Sequence, residues 1–267
     1  MIKKTIFQGA VVIVSFVAIW LAFSQVDFMR LFHVDKVNNT TAEKLGDMIW
    51  ESIERTETVI TNDSVVKPID KLITHIADKN GFDRKDIKLH IVEKDEVNAF
   101  ALPGNHLVVY TGLIKDCDNE SELAGVLGHE MAHIEKDHVM KKLVKEVGFS
   151  VLVSVATGGR GQQMAGQIAK TLSSSAYDRK LESEADIASV DYLIKADLDP
   201  EQFANFMFKM ANDKTLPAEF YWISTHPESE ERAKAIVEYI KGKRITKKEV
   251  LSAKDWESFK ARVKENY

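Results

Sequence analysis

His129-Glu130-Met131-Ala132-His133 is the segment whose residue types and spacing are best suited to chemistry. On an α-helix, side chains four apart lie on one face, one turn from each other. Two imidazoles placed that way can point at one cation. Glu130 sits beside them, where it can take a proton from a water that the cation has acidified. The pattern predicts one zinc ion per chain, held by His129 and His133, with Glu130 as general base for hydrolysis of a peptide bond. The bland alternative is a surface helix with two solvated histidines. The flanking residues weigh against it. Asn119 can cap a helix, Glu122 can close a capping box, and Leu123, Val126, Leu127 and Met131 follow at helical spacing. The pattern predicts one helix from Asn119 to about Val147.

A catalytic zinc takes a third protein ligand. The longer motif that adds a glycine and a third histidine is not met, because Lys136 and Val139 hold those positions. His138 is off that register and is expected on another helix face. A carboxylate from a second helix is therefore needed, and the stretch from Arg179 to Asp186 offers candidates. Glu182 and Asp186 share a face, which suits one as ligand and the other as brace for a histidine. Glu184 lies about 200° round the helix from Glu182 and is expected to point away; it is the alternative ligand. His33, His75, His90, His106 and His138 have no partner pattern and read as ordinary surface or core residues.

These groups need a scaffold. With 267 residues, 45% hydrophobic and 29% charged, the chain can bury one sizeable core. A net charge of −5 argues against nucleic acid as partner. The single Cys117 permits no intramolecular disulfide and has no reactive motif around it. A helix is expected to open at Pro68 and to end before Gly81, with Ile69, Leu72, Ile73 and Ile76 on one stripe. The period then changes. Strands are expected at Ile87 to Ile91, Asn98 to Leu102 and Leu107 to Thr111, with Pro103-Gly104-Asn105 as a turn, forming a small antiparallel sheet. Helices are expected over about 162–172, 181–196, from Pro200 through Met210, 228–241 and 255–264. The fold class is α+β, mainly helical.

Residues Ile6 to Phe23 form an apolar run preceded by Lys3 and Lys4. About 18 residues at ~1.5 Å each approach the thickness of a bilayer core. The run is longer than the usual signal-peptide core of about 7–15 residues, which favours an uncleaved anchor, although Ala22-Phe23-Ser24 could be cut. The leading lysines predict that the rest lies on the non-cytosolic side. The apolar stretch Val147 to Thr157 is too short to span and suits a buried helix or a membrane-surface contact. The expected organisation is an anchor or signal segment at 1–34, a helical lead-in at 35–84, a zinc peptidase domain at 85–245 and a helical tail at 246–267.

Three ordered motifs carry a resemblance: His129-Glu130-x-x-His133, Arg179-x-x-Glu182-x-x-x-Asp186, and Ser224-Thr225-His226-Pro227 followed by Glu231-Arg232. With Asn98-Ala99-Phe100-Ala101 and Val109-Tyr110-Thr111-Gly112-Leu113, the region 85–240 resembles the HtpX-like and CaaX-prenyl-protease-like zinc metallopeptidases. The resemblance implies a gluzincin-type fold in which the sheet packs on the zinc helix. It implies Glu182 as third ligand, Asp186 and Arg232 as bracing residues, and His226 near the metal, assisting the transition state or capping the ion. It implies an edge strand at Asn98, Ala99 and Phe100 that pairs with an extended protein or peptide substrate. The single apolar segment departs from multi-span members and looks closer to exported quality-control members. A zinc-bearing scaffold or chaperone without proteolysis is the competing reading, and the presence of Glu130 argues against it.

Overall fold

A computed structural model of the protein describes residues 39–157, 161–212, 222–227 and 229–267, with Ser15 alone before them. The expected anchor at 1–34 therefore lies, Ser15 apart, outside the described residues. Asn39–Tyr267 form one compact unit. Among the described residues no helix is long and apolar enough to cross a membrane.

The unit opens with α1 (Asn39–Glu54) and α2 (Asp63–Asn80). Asn62 caps α2 by accepting from the Ser64 N–H at 2.9 Å, so the helix starts before Pro68, which lies inside it. That differs from the expected opening at Pro68. An Asn cap and two polar residues start the helix by themselves, and Pro68 removes one backbone bond. Gly81 ends α2 with φ 76°. Val65, Ile69, Leu72, Ile73 and Ile76 are buried as one stripe.

Three strands follow: β1 (Lys88–Val92), β2 (Ala99–Leu102) and β3 (His106–Tyr110). Their order is β1-β3-β2. β2 and β3 form the expected antiparallel hairpin, with Ala99 opposite Val109. Gly104 and Asn105 in its turn take φ 69° and 64°, the sign that a tight hairpin needs. β1, however, runs parallel to β3, with Ile91 opposite Val109, so the sheet is mixed rather than antiparallel. The physical reason is the connection 93–98, which crosses the end of the sheet by Tyr110, fastened where Gly112 N–H and Lys94 O meet at 2.8 Å. β2 therefore runs back opposite to β1, and β3 returns between them parallel to β1. β2 is left as an edge strand.

After the short α3 (Thr111–Asp116) comes α4 (Glu120–Glu135), capped by Asn119 through the N–H groups of Ser121 and Glu122. Helix α4 runs through the centre, against β2, α8 (Arg179–Lys195) and α9 (Glu201–Asn212). Two glycines permit the close approach. A Cβ on Gly125 would stand 2.4 Å from Cβ of Phe203, and one on Gly128 would stand 2.8 Å from Oγ of Ser189. The expected single helix to Val147 is instead two. Asp137 adopts φ 55°, a left-handed turn that aspartate tolerates, and α5 (His138–Glu146) starts in a new direction.

The remaining helices are α6 (Phe149–Ala156), α7 (Gly161–Ser174), α10 (Ser229–Ile240) and α11 (Ala253–Asn266). Leu152 and Val155 of α6 are buried, so this apolar stretch acts as a packed helix. Phe203, Phe206, Met207 and Met210 of α9 are fully buried, as is Trp222 in the turn before α10.

Candidate metal centre

Helix α4 delivers His129, Glu130 and His133 to one place, all with no solvent exposure. Helix α8 brings Glu182 and Asp186, the turn 222–227 brings Trp222 and His226, and α10 brings Arg232. The two imidazoles of α4 meet with Nε2 atoms 2.8 Å apart. His226 Nδ1 lies 3.2 Å from His129 Nε2 and 3.0 Å from both oxygens of Glu182. Glu182 Oε1 lies 3.4 Å from His133 Nε2. One donor atom from each of His129, His133, Glu182 and His226 lies within 4.8 Å of every other.

This donor set fits a divalent metal. Burial, helped by neighbouring His129, pushes His133 down to about 4. Burial likewise takes His226 down to about 3. Both are therefore neutral lone-pair donors at neutral pH. Burial acts to raise the Glu182 carboxyl, but His226 and Arg232 beside it outweigh that and hold it well below the ordinary range. Nε2 of His226 and Oε2 of Glu130 are buried with no hydrogen-bond partner in the protein. Buried polar atoms in native folds are nearly always satisfied, so unpaired ones call for an ion, a water or a ligand.

Outer contacts fix the donors. His129 Nδ1 stands 3.0 Å from Asp186 Oδ1. Arg232 clamps Asp186 in a fork, Nε to Oδ2 at 2.7 Å and Nη2 to Oδ1 at 2.6 Å, and its Nη1 also contacts Glu182 Oε2. One guanidinium thus pins two carboxylates of α8. Glu184 points away from the donors toward His138, as its helical position requires. His138 is not the ordinary residue expected. It is buried, with Nδ1 3.1 Å from His133 Nδ1, because the chain reverses at Asp137 and an unbroken-helix count no longer applies.

Glu130 is the remaining reactive group. The Trp222 indole N–H donates to its Oε1 at 3.1 Å, and His226 Nε2 lies 3.3 Å from the same oxygen. Burial pushes the Glu130 carboxyl up to about 7, against the opposing pull of His129 and the indole bond. A carboxylate with that affinity can accept and return a proton near neutrality. Trp222 was not foreseen, although an aromatic residue close before His226 was a usable signal. Tyr177 was also missed. Its ring stacks on His133 at 4.1 Å, and Lys142 Nζ lies 4.0 Å from its centroid.

The edge-strand residues lie beside this centre. Asn98 O accepts from Tyr110 N–H at 3.0 Å, and its side chain donates to Ser173 O at 3.3 Å. Alternation along an antiparallel pair then turns Phe100 N–H and C=O toward β3 as well, and leaves those of Ala99 and Ala101 toward the free edge. The Phe100 ring packs edge-on against Tyr110.

The sequence profile described as peptidase family M48 matches residues 65–240. The chain belongs to peptidase family M48. It is 27% identical over 206 residues to the Beta-barrel assembly-enhancing protease of Yersinia pestis, covering 70% of this chain and 41% of that protein. It is 28% identical over 177 residues to the Mitochondrial metalloendopeptidase OMA1 of Schizosaccharomyces pombe, covering 64% of this chain and 52% of that one. It is 27% identical over 213 residues to the Metalloprotease LoiP of Escherichia coli, covering 77% and 82%. The chain thus spans about half or less of the first two relatives. All three are named as proteases, and the M48 match encloses every donor of the metal centre.

Proposed function

We propose that this M48 chain is a zinc metalloendopeptidase. The carrying observation is a base of near-neutral affinity, Glu130, set beside a buried three-nitrogen, one-carboxylate donor group. His129, His133 and Glu182 would hold the ion. Their nitrogen and carboxylate donors suit zinc, which would supply Lewis acidity to a water and a scissile carbonyl. Glu130 takes the water proton and passes it to the leaving amine. Asp186 and Arg232 keep His129 and Glu182 oriented. His226 would either cap the ion as a fourth donor or supply a hydrogen bond to the developing oxyanion.

The substrate is read as an extended polypeptide that passes the Asn98–Phe100 segment at the start of β2, with its main chain paired to the edge-facing groups of Ala99. The apolar run Ile6–Phe23 is read as the anchor that holds the domain on the non-cytosolic side. Envelope proteins then become the accessible substrates, a reading supported by one relative being named for β-barrel assembly.

The deciding experiment compares the wild type with Glu130→Gln. Zinc content should be equal, near one per chain, and cleavage of an unfolded protein should fall about 10²–10⁴-fold in the variant. Equal cleavage by both would remove Glu130 from the reaction. A wild type that binds zinc but cleaves no protein would favour a scaffold.

A further inference from the structure

We propose that His138 is a positioning residue that holds the metal-facing edge of His133 in place through a His133–His138–Glu184 chain. The inference rests on His133 being a metal ligand, as read above.

Proton accounting orders the chain. His133 turns Nε2 to the donor group, where His129 Nε2 and Glu182 Oε1 lie. An imidazole that gives its Nε2 lone pair to a cation carries its proton on Nδ1. That N–H faces His138 Nδ1 at 3.1 Å, which must then accept. The proton of His138 is thereby confined to Nε2. Glu184 Oε2 lies 3.3 Å from that nitrogen, off the line of a full hydrogen bond, on a carboxylate exposed enough to swing.

The two α4 imidazoles are therefore supported by different means. His129 has a carboxylate locked by a buried guanidinium. His133 has a neutral ring from the next helix. The left-handed turn at Asp137 makes this possible, since it brings His138 back over His133. Both rings are fully buried, so water cannot substitute for the missing partner. Contacts of this kind change metal affinity about 10–100-fold when removed.

The test uses two replacements of similar size. Asn places its side-chain oxygen near the site of Nδ1 and can accept from His133, whereas Leu cannot. Zinc affinity would be read by chelator competition on the full chain, and thermal stability of the metal-free protein alongside. H138N should stay within about threefold of the wild type, while H138L should lose about 10–100-fold. Equal affinities for H138L and H138N, or a wild-type affinity in H138L, would overturn the proposal. If H138L does not fold, the reading passes to Glu184→Leu, an exposed site expected to lose about two- to fivefold. Wild-type affinity there would overturn it too. A wild type that binds no zinc would instead defeat the underlying ligand assignment, an outcome separate from these.

Discussion

The indole of Trp222 donates to Glu130 Oε1 at 3.1 Å, so an otherwise apolar, fully buried side chain supplies a polar contact to the reactive carboxylate. Burial raises the Glu130 carboxyl to about 7, and the indole bond opposes that rise. Trp222→Phe keeps most of the ring and removes the donor. At pH 7 the variant carboxylate spends more of its time protonated and unable to act as base. Hydrogen bonds to charged groups are worth about 1.5–3 kcal/mol, so kcat/KM should fall about 10–100-fold with zinc content unchanged. The acid limb of the pH–rate profile should move to higher pH. An unmoved limb would show that the indole only fills space.

Arg232 presents its guanidinium to Asp186 and Glu182 at once. Arg232→Gln strands two buried carboxylates. Removing one partner of a buried pair costs about 3–5 kcal/mol, and urea unfolding of the metal-free protein should show a loss of that size. Arg232→Lys should recover part of it, because an ammonium neutralises charge but cannot form the fork to Asp186. A loss below about 1 kcal/mol in Arg232→Gln would mean that the carboxylates find other partners.

The centre itself was legible because helix geometry turns spacing into proximity. His129, Glu130 and His133 needed only an intact helix. Glu182 and Asp186 needed a second one; the first helix began at its Asn119 cap, and the second formed over Arg179–Lys195, close to the expected 181–196. What escaped depended on breaks. His138 was misjudged because Asp137 leaves helical dihedrals, a single-residue event with no periodic signature. The parallel pairing of β1 escaped because each strand's alternation is the same whichever neighbour it takes. Trp222 and Tyr177 lie in turns, where spacing says little about contact. His90 and His106 looked ordinary one at a time, yet they meet diagonally across β1 and β3, His90 opposite Val108 and His106 opposite Lys88, a contact that the parallel pairing creates.

The free edge of β2 gives a third expectation. Ala99 sits between Asn98, whose carbonyl is bonded to Tyr110 N–H, and Phe100, which alternation turns to β3. Ala99→Pro removes an edge-facing N–H and adds ring atoms at a buried position, so thermal stability is read alongside. Loss of one main-chain bond to substrate should raise KM for an unfolded protein about three- to tenfold, leaving zinc content intact. Unchanged KM would place the substrate elsewhere.

A fourth expectation concerns acid. His90 Nε2 and His106 Nδ1 lie 2.9 Å apart, and His106 Nε2 lies 3.1 Å from Asp47 Oδ1, with Trp50 stacked on His90 at 3.6 Å. Burial, with the positive neighbours His106 and Lys88, lowers His90 to about 3. Burial and Lys88 lower His106 to about 4. Both values lie below the ordinary histidine value of about 6.5, so the unfolded chain takes up protons first. Their stabilisation is complete above about pH 6.5 and is lost as pH falls toward about 4. Because His90 is partly exposed, though His106 is buried, the pair should contribute only about 2 kcal/mol of that loss between pH 7 and 5. Urea unfolding in chelator at the two pH values would measure it, with the metal absent from both. His90→Phe/His106→Asn has nothing to titrate there and should show a correspondingly smaller drop. Equal drops in the wild type and the double variant would assign the acid sensitivity to other groups.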